Sequence, residues 1–361
     1  MSGREMPAAE LPRRGPGRVP LLLRAAVSLG LLAGLAVWLD AGAVASRLAS
    51  MRPAWVLAAL ALSVVQVAVL AWRWSFTARR LGVGLPWPVA WREYYLSIFL
   101  NQVLPGGVLG DVARAWRQAR SQVRAQAPRG PAVRAVVFER LSAQVVMTTV
   151  AGVSLLFLPV TVVPGSRAAM VGAGLLAVGL VVATIVWMRR QSSEWSLYGP
   201  VLAEVGAAHL APGAFAAQLA SALVVVATYL ATYLVAARAV GVETPLPVLL
   251  PLVAPVLMSM LIPVTVAGWG LREGAAAVLW GAVGLTAADG VVVSVAYGLL
   301  VLAGSAPGAV FLTVGLRRGR SRPGGPIESG PVEAGPRLED DAGARHESEA
   351  RRCTPTGDAG R

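Results

Sequence analysis

The sequence predicts an all-α polytopic membrane protein with about six full transmembrane helices and two broken, re-entrant helical hairpins. Three observations support this class. Hydrophobic residues make up 56% of the 361 residues and charged residues only 14%, whereas soluble domains carry about a quarter charged residues. Apolar runs of about 20 residues recur along the chain, and that length crosses a hydrocarbon core of about 30 Å. The 32 basic residues are all arginines, clustered between the apolar runs.

Composition also excludes several classes of function. Cys353 is the single cysteine, so intramolecular disulfides and multi-cysteine metal sites are excluded. Two histidines, His209 and His346, are too few for a histidine-rich metal centre. We therefore expect no metal and no cofactor. The formal net charge is +13, but the arginines do not form one basic face, so we expect no nucleic-acid partner.

Six apolar runs are long enough to span the bilayer as helices, at 19–39, 54–72, 135–160, 168–187, 213–238 and 289–315. The first run has an alternative interpretation. It resembles a signal peptide cleaved after Ala43-Val44-Ala45, but its length at the head of a polytopic chain favours an uncleaved anchor.

Three regions follow from this pattern. Residues 1–18 are predicted to form an N-terminal arm, and residues 19–316 a single transmembrane domain. Residues 317–361 are rich in Gly, Pro and charge, so they are predicted to be a disordered tail. We expect the chain to lie in the plasma (inner) membrane.

Arginine clusters predict the orientation, because basic loops stay in the cytoplasm. Both termini are arginine-rich and are predicted to be cytoplasmic, and the cluster Arg73, Arg79, Arg80 and Arg92 falls on the same side. Both termini lie on the cytoplasmic side only if each of two shorter segments enters the membrane and returns to the face from which it entered. These are 91–111, from the cytoplasmic face, and 246–287, from the outer face.

The first segment is interrupted within its apolar sequence. A half-helix ends at the Pro105-Gly106-Gly107 break, and a second helix begins near Asp111 with Arg114 one turn later. A helix start inside the membrane presents unpaired N–H groups to an anion, and Arg114 adds a forked cation. The alternative is that Asp111 only caps the helix and Arg114 lies at the membrane edge. Candidate substrate-binding residues are Asn101, Gly106, Gly107, Asp111 and Arg114.

The second segment has the same kind of break before a charged pair. Pro263, Gly268 and Gly270 precede Arg272 and Glu273. Adjacent residues of a helix point in different directions, and unpaired charges in a bilayer are costly. The expected partners are therefore Asp111, Arg114, Glu139 or Arg140, and not each other. The alternative is an interfacial turn with a snorkelling Arg272. The candidate residues are Gly268, Gly270, Arg272 and Glu273.

Two further polar features lie within predicted spans. Glu139 and Arg140 are candidate substrate-binding residues, with a helix-end charge pair as the alternative. A polar stripe on the 213–238 span either lines a cavity or bonds a neighbouring helix; it comprises Gln218, Ser221, Thr228, Tyr229, Thr232 and Tyr233. Two interrupted segments entering from opposite faces are typical of inverted-repeat transporters with a midplane site.

Three motifs, taken in order, resemble a known family. They are N-x-x-L-P-G-G-x-x-G-D-x-x-R from Asn101 to Arg114, E-R-L from Glu139, and P-x-x-x-x-G-x-G-x-R-E ending at Glu273. The chain resembles, over about residues 20–316, the lysylphosphatidylglycerol synthase transmembrane, or flippase-like, family. That family includes the membrane half of bacterial multiple peptide resistance factors.

The resemblance implies movement of a lipid between leaflets. The implied substrate is an anionic or aminoacylated phospholipid, or a polyprenyl-linked sugar. The implied central polar residues are Asp111, Arg114, Arg140, Arg272 and Glu273. No aminoacyltransferase segment follows the last span of this sequence, so we expect lipid made elsewhere, with a separate lipid-modifying synthase as a partner.

Three functions stay open at this point. The favoured one is a flippase moving a phospholipid or polyprenyl-linked headgroup through a polar intramembrane cavity. The second is an intramembrane glycosyl- or acyltransferase that uses paired carboxylates as acid and base. The third is a non-transporting partner in envelope assembly whose buried charges are structural. The sequence favours a transporter over an enzyme and leaves the identity of the lipid open.

Overall fold

A computed structural model describes residues 18–38, 41–104, 107–158, 199–261 and 265–320, with isolated positions between 168 and 186. Every regular element in these ranges is helical, which confirms the predicted all-α class. The α-helices are α1 (Arg18–Trp38), α2 (Ala41–Ala49), α3 (Pro53–Arg80), α4 (Trp87–Val103), α5 (Leu109–Arg124), α6 (Gly130–Leu156), α7 (Gly199–Val205), α8 (Ala214–Ala239), α9 (Leu246–Met258), α10 (Leu271–Ala282), α11 (Ala287–Gly304) and α12 (Ala306–Arg320). A π-helical turn, Gly206–Leu210, follows α7, and a 3₁₀ turn, Ser259–Leu261, follows α9.

Four segments in the described part of the chain are long and apolar enough to cross a membrane, namely Pro53–Arg80, Gly130–Leu156, Ala214–Ala239 and Ala287–Val314. They match four of the predicted spans, and α1 occupies the first predicted span as a helix. The predicted span 168–187 lies mostly outside the described residues, and the arm before residue 18 and the tail after residue 320 lie wholly outside them. The last span is interrupted at Ser305, because Pro307 lacks an N–H and suits the first turn of a new helix.

Helices α3 and α8 pack antiparallel along a polar seam. Thr228 Oγ1 donates to Gln66 Oε1 at 3.3 Å, and Gln218 Nε2 donates to Thr77 Oγ1 at 2.8 Å. From one end of the seam to the other, residue numbers therefore rise along α3 and fall along α8. Of the two interpretations of the polar stripe on α8, the structure supports bonding to a neighbouring helix. We call the end of the bundle where α3 finishes, at Arg80, the basic end, and the other the opposite end.

The first hairpin, α4 and α5, opens at the basic end. Arg117 Nε donates to Glu93 Oε2 at 2.5 Å, and Gln118 Nε2 donates to the Gly84 carbonyl at 3.4 Å, so both open ends lie near the end of α3. The hairpin is longer than predicted, because α5 continues to Arg124. Arg114 consequently lies inside the hairpin, and not in a loop where the chain leaves the membrane.

The tip of the first hairpin depends on a close helix–helix approach. The Gly110 N–H donates to Asn101 Oδ1 at 2.7 Å, which joins the start of α5 to the end of α4. A Cβ atom at Gly110 would overlap the Ser97 carbonyl. Glycine is therefore required here for backbone contact, in addition to any freedom it gives the turn.

The second hairpin, α9 and α10, opens at the opposite end. Arg47 of α2 pairs with Asp289 at the start of α11 and donates to the Val240 carbonyl after α8 at 3.2 Å. The segments before and after the hairpin therefore lie together. The two hairpins enter from opposite ends, as the sequence predicts.

Helix α6 contacts the tips of both hairpins. Arg140 Nη2 lies 3.2 Å from Asp111 Oδ2 at the tip of the first. Gln144 Nε2 lies 3.1 Å from the Met258 sulfur at the tip of the second. Positions 140 and 144 are about 6 Å apart along a helix axis at 1.5 Å per residue. The two tips thus meet adjacent turns of one helix, and that helix contributes Glu139 and Arg140 to the candidate site.

Candidate functional site

Arg114 lies at the centre of a buried group of charges. Its side chain is fully buried; Nε donates to Asp111 Oδ1 at 2.9 Å, and Nη2 donates to Glu139 Oε2 at 3.0 Å. The guanidinium carbon lies 4.8 Å from the ring centroid of Trp74 and 4.2 Å from that of Tyr94. Two carboxylates and two aromatic faces fit a planar, forked cation, which lysine does not supply.

Glu139 connects this group to a second buried arginine. Its Oε2 also accepts from the Tyr94 hydroxyl at 2.7 Å, and its Oε1 lies 4.0 Å from Arg73 Nε. Arg73 donates through Nη1 to the Gln218 carbonyl at 2.8 Å and through Nη2 to Ser142 Oγ at 2.9 Å. Both charged side chains are buried, and these bonds offset the cost of removing them from water.

The prediction that Arg73 belongs to a basic loop is wrong. Helix α3 continues past the predicted end of its span, so Arg73 lies inside the bundle and is fully buried. A sequence signal for this placement exists. Gln66, Arg73 and Thr77 are spaced by seven and four residues, so they share one face of α3. That face meets the polar stripe on α8.

Asp111 and Arg140 form the outer edge of the group. Asp111 Oδ1 also accepts from Ser97 Oγ, and Oδ2 accepts from Asn101 Nδ2, each at 3.1 Å. Arg140 Nη2 lies 3.2 Å from Oδ2, and the Arg140 side chain is 48% exposed whereas that of Asp111 is 11% exposed. Arg140 is thus the most exposed arginine of this group.

We call Arg73, Asp111, Arg114, Glu139 and Arg140 the arginine cluster. It contains three guanidinium groups and two carboxylates, which leaves one positive charge uncompensated within the cluster. An uncompensated charge in a low-dielectric setting attracts an anion strongly. The cluster unites Asp111, Arg114, Glu139 and Arg140 of the predicted site residues, with Asn101 hydrogen-bonded to Asp111.

Arg272 and Glu273 form a separate, neutral pair. Arg272 Nη2 and Nε donate to Glu273 Oε1 at 2.6 and 3.1 Å, and Arg272 Nε also donates to Ser294 Oγ at 2.8 Å. Glu273 Oε2 accepts from the Gly270 N–H at 2.7 Å, as a helix-capping carboxylate does. Both side chains are buried.

The prediction that Arg272 and Glu273 do not pair with each other is therefore wrong. Capping turns the Glu273 carboxylate back toward the start of α10, where the long Arg272 side chain folds over it. Among the described residues, no ion pair or hydrogen bond joins this pair to the arginine cluster. Tyr297 packs on the Arg272 side, where the guanidinium carbon lies 5.2 Å from the centroid of its ring, and Tyr233 lies 5.6 Å from Tyr297 between ring centroids.

The predicted glycines lie in the turns of the two hairpins. Gly107, Gly268 and Gly270 have φ angles of +62°, +80° and +86°. At Gly270 a Cβ atom would also come within 2.6 Å of Leu31 Cβ on α1, so close packing adds to the conformational requirement. Gly106 lies outside the described residues.

His209 is a titratable residue that the sequence did not assign to the site. It lies in the π-helical turn, with its ring edge-on to Phe138 at 6.3 Å between centroids. Burial and the nearby Arg73 lower the pKa of His209 from 6.5 to about 4, and Glu139 opposes the shift. His209 is therefore neutral at pH 7.

Within the described ranges, no group of three His, Cys, Asp or Glu side chains is placed to hold a metal ion.

Comparison with known proteins bears directly on this arrangement. Residues 22–308 match the family described as lysylphosphatidylglycerol synthase TM region. The chain belongs to this family. The matched region contains both hairpins, and membership in a lysylphosphatidylglycerol synthase membrane family connects this multi-pass protein with membrane lipids. Neither the curated proteins nor the solved structures contain a match to the chain.

Proposed function

We propose that this protein moves an anionic, phosphate-bearing lipid headgroup between the two leaflets, and that Arg140 is the residue that binds the phosphate. The uncompensated positive charge of the arginine cluster, presented by a half-exposed Arg140, is the observation that carries the proposal. A forked guanidinium suits a phosphate oxygen pair. The family's connection with membrane lipids supports a lipid as the source of that phosphate.

Arg114 and Arg272 have a different role in this proposal. Both side chains are buried; Arg114 donates to Asp111 and Glu139, and Arg272 donates to Glu273. They hold the hairpin tips in place, and Arg140 meets the headgroup. The acyl chains stay in the bilayer while the headgroup passes the hairpin tips, where broken helices and tyrosines offer polar contacts within the membrane. A separate membrane synthase would supply the lipid.

Reconstituted vesicles test the proposal. The full chain is incorporated into vesicles of phosphatidylcholine that contain phosphatidylglycerol with a labelled headgroup, and accessibility of the label to a membrane-impermeant reducing agent is followed. We expect Arg140→Gln to lower headgroup movement to the rate of protein-free vesicles. Arg80→Gln removes the same charge from an exposed position on α3 and is the matched control, expected to keep the wild-type rate.

Two further measurements make the result specific. The unfolding temperature of Arg140→Gln should stay close to that of the wild type, because the side chain is half-exposed. Labelled phosphatidylcholine should move more slowly than phosphatidylglycerol, since its headgroup carries no net charge. A folded Arg140→Gln protein that moves phosphatidylglycerol at the wild-type rate would reject Arg140 as the headgroup residue.

A further inference from the structure

Helix α5 has two faces with different surroundings. The inner face, which includes Asp111 and Arg114, is buried in the arginine cluster. The outer face is apolar and uncovered: Val112 is 59% exposed, Trp116 54% and Val123 41%. Positions 112, 116 and 123 fall on one side of a helix. We call Val112, Trp116, Arg120 and Val123 the outer face of α5.

An arginine is fixed on this apolar surface. The guanidinium carbon of Arg120 lies 3.7 Å from the centroid of the Trp116 ring. Stacking on a tryptophan face orders a cation that is otherwise mobile, and leaves its N–H groups free at the edge of the guanidinium plane. The outer face thus combines an apolar surface with one positioned cation.

The exposure of the arginines on α5 rises from the hairpin tip to the basic end. Arg114 is fully buried, and the Arg117 side chain is 31% exposed and paired with Glu93. Arg120 and Arg124 are exposed, and Arg120 forms no ion pair with any described residue. Arg120 is therefore an exposed cation, stacked on Trp116, on the same helix as the buried Arg114.

We propose that the outer face of α5 binds an anionic phospholipid of the leaflet at the basic end before its headgroup reaches Arg140. The inference rests on the proposed function and adds the surface along which the lipid approaches the arginine cluster. Arg120 holds the lipid phosphate, and one acyl chain lies along Trp116 and Val112. Residues 112 and 120 are about 12 Å apart at 1.5 Å per residue, which fits within one leaflet of a hydrocarbon core about 30 Å thick.

Charge and polarity identify the occupant. The surface is apolar toward the tip and cationic toward the basic end, which matches an acyl chain joined to a phosphate. A basic residue near a membrane surface contributes about 1 kcal/mol to binding of anionic lipid. That contribution corresponds to about a fivefold change in affinity. A zwitterionic headgroup gains less from Arg120, because its own cation offsets the charge of its phosphate.

Competitive lipid retention tests the inference. The purified full chain in detergent is mixed with equal amounts of phosphatidylglycerol and phosphatidylcholine, and retained lipids are identified by native mass spectrometry. We expect Arg120→Gln to lower retention of phosphatidylglycerol relative to phosphatidylcholine about fivefold. Arg80→Gln is the matched control, because Arg80 is also exposed and lies over an aromatic ring, Phe76, at 5.3 Å. It should retain the wild-type ratio.

The outcomes separate this inference from the proposed function. Equal losses in the two variants would mean that bulk surface charge attracts the lipid, and would overturn the inference, as would no loss in Arg120→Gln. In vesicles, Arg120→Gln should slow headgroup movement when phosphatidylglycerol is scarce and reach the wild-type rate when it is abundant. If the wild type moved no headgroup but Arg120→Gln still lost retention, the lipid-binding surface would stand and the translocase function would fall.

Discussion

Asp111 Oδ2 and Arg140 Nη2 lie 3.2 Å apart, and this contact joins a buried carboxylate to a half-exposed guanidinium. The other Asp111 oxygen accepts from Arg114. One carboxylate thus connects the buried Arg114 with the half-exposed Arg140. Replacing Asp111 should therefore mainly lower stability, whereas replacing Arg140 should mainly lower transport.

Asp111→Asn should destabilise the protein far more than Arg140→Gln. Removing the Asp111 charge leaves Arg114 buried with one carboxylate instead of two, at a cost of about 3 kcal/mol. Arg140 is half-exposed, so its loss should cost at most about 1 kcal/mol. Thermal unfolding of the two purified variants in one detergent measures the difference. Equal losses of stability in the two variants would contradict the assignment of Asp111 as a buried partner and Arg140 as an exposed one.

Gly110→Ala should destabilise the first hairpin. A Cβ atom there would overlap the Ser97 carbonyl, so α4 and α5 must separate, at a cost of about 1–3 kcal/mol. The measurement is the denaturation midpoint in detergent. Gly281→Ala on α10 is the control: nothing lies within 4 Å of its added Cβ, and alanine favours a helix, so its midpoint should stay the same or rise. A Gly110→Ala midpoint equal to that of the control would show that α4 and α5 lie farther apart at Gly110 than the structure indicates.

The all-α class, four described spans and the opposed entry of the two hairpins were predictable from sequence. Apolar run length and arginine bias carry that information, because both reflect the thickness and polarity of the bilayer. The extent of helices was less predictable. Helix α3 extends past its apolar run to Arg80 because the polar face of Gln66, Arg73 and Thr77 is paired with α8 inside the bundle.

Side-chain pairing was predictable only in part. Asp111 and Arg114, three residues apart on one helix, pair as their spacing suggests. The pairing of Arg272 with Glu273 was not predictable from helix geometry, because it depends on capping at Gly270 and on Ser294 of another helix. The central position of Glu139 likewise depends on contacts from α3, α4 and α5, which no local pattern encodes.

Replacing the Arg272–Glu273 pair tests whether it is structural. Arg272→Gln alone should cost about 3–5 kcal/mol, since it leaves the Glu273 charge buried without its partner. The double variant Arg272→Met with Glu273→Gln removes both charges at similar volume and retains an oxygen for the Gly270 N–H. It should recover much of that loss and move labelled phosphatidylglycerol in vesicles. A double variant that is stable but inactive would place Arg272 in contact with the headgroup.

His209 should make the protein less stable in acid. Its pKa is about 4 in the folded protein and 6.5 when unperturbed, so the unfolded chain binds more protons between these values. Stability is then complete above about pH 6.5, falls as the pH is lowered toward about 4, and levels off below that. The loss from this group is about 3 kcal/mol, at about 1.4 kcal/mol for each unit of pKa difference.

The dependence is measured as the unfolding free energy at several pH values for the wild type and for His209→Leu. Carboxylates also titrate in this range, so the informative quantity is the difference between the two curves. That difference should be constant above pH 7 and should shift in favour of the variant as the pH falls to about 4, because the variant has no imidazole to protonate beside Arg73. Parallel curves throughout the range would mean that His209 accepts a proton in the folded bundle as readily as in the unfolded chain.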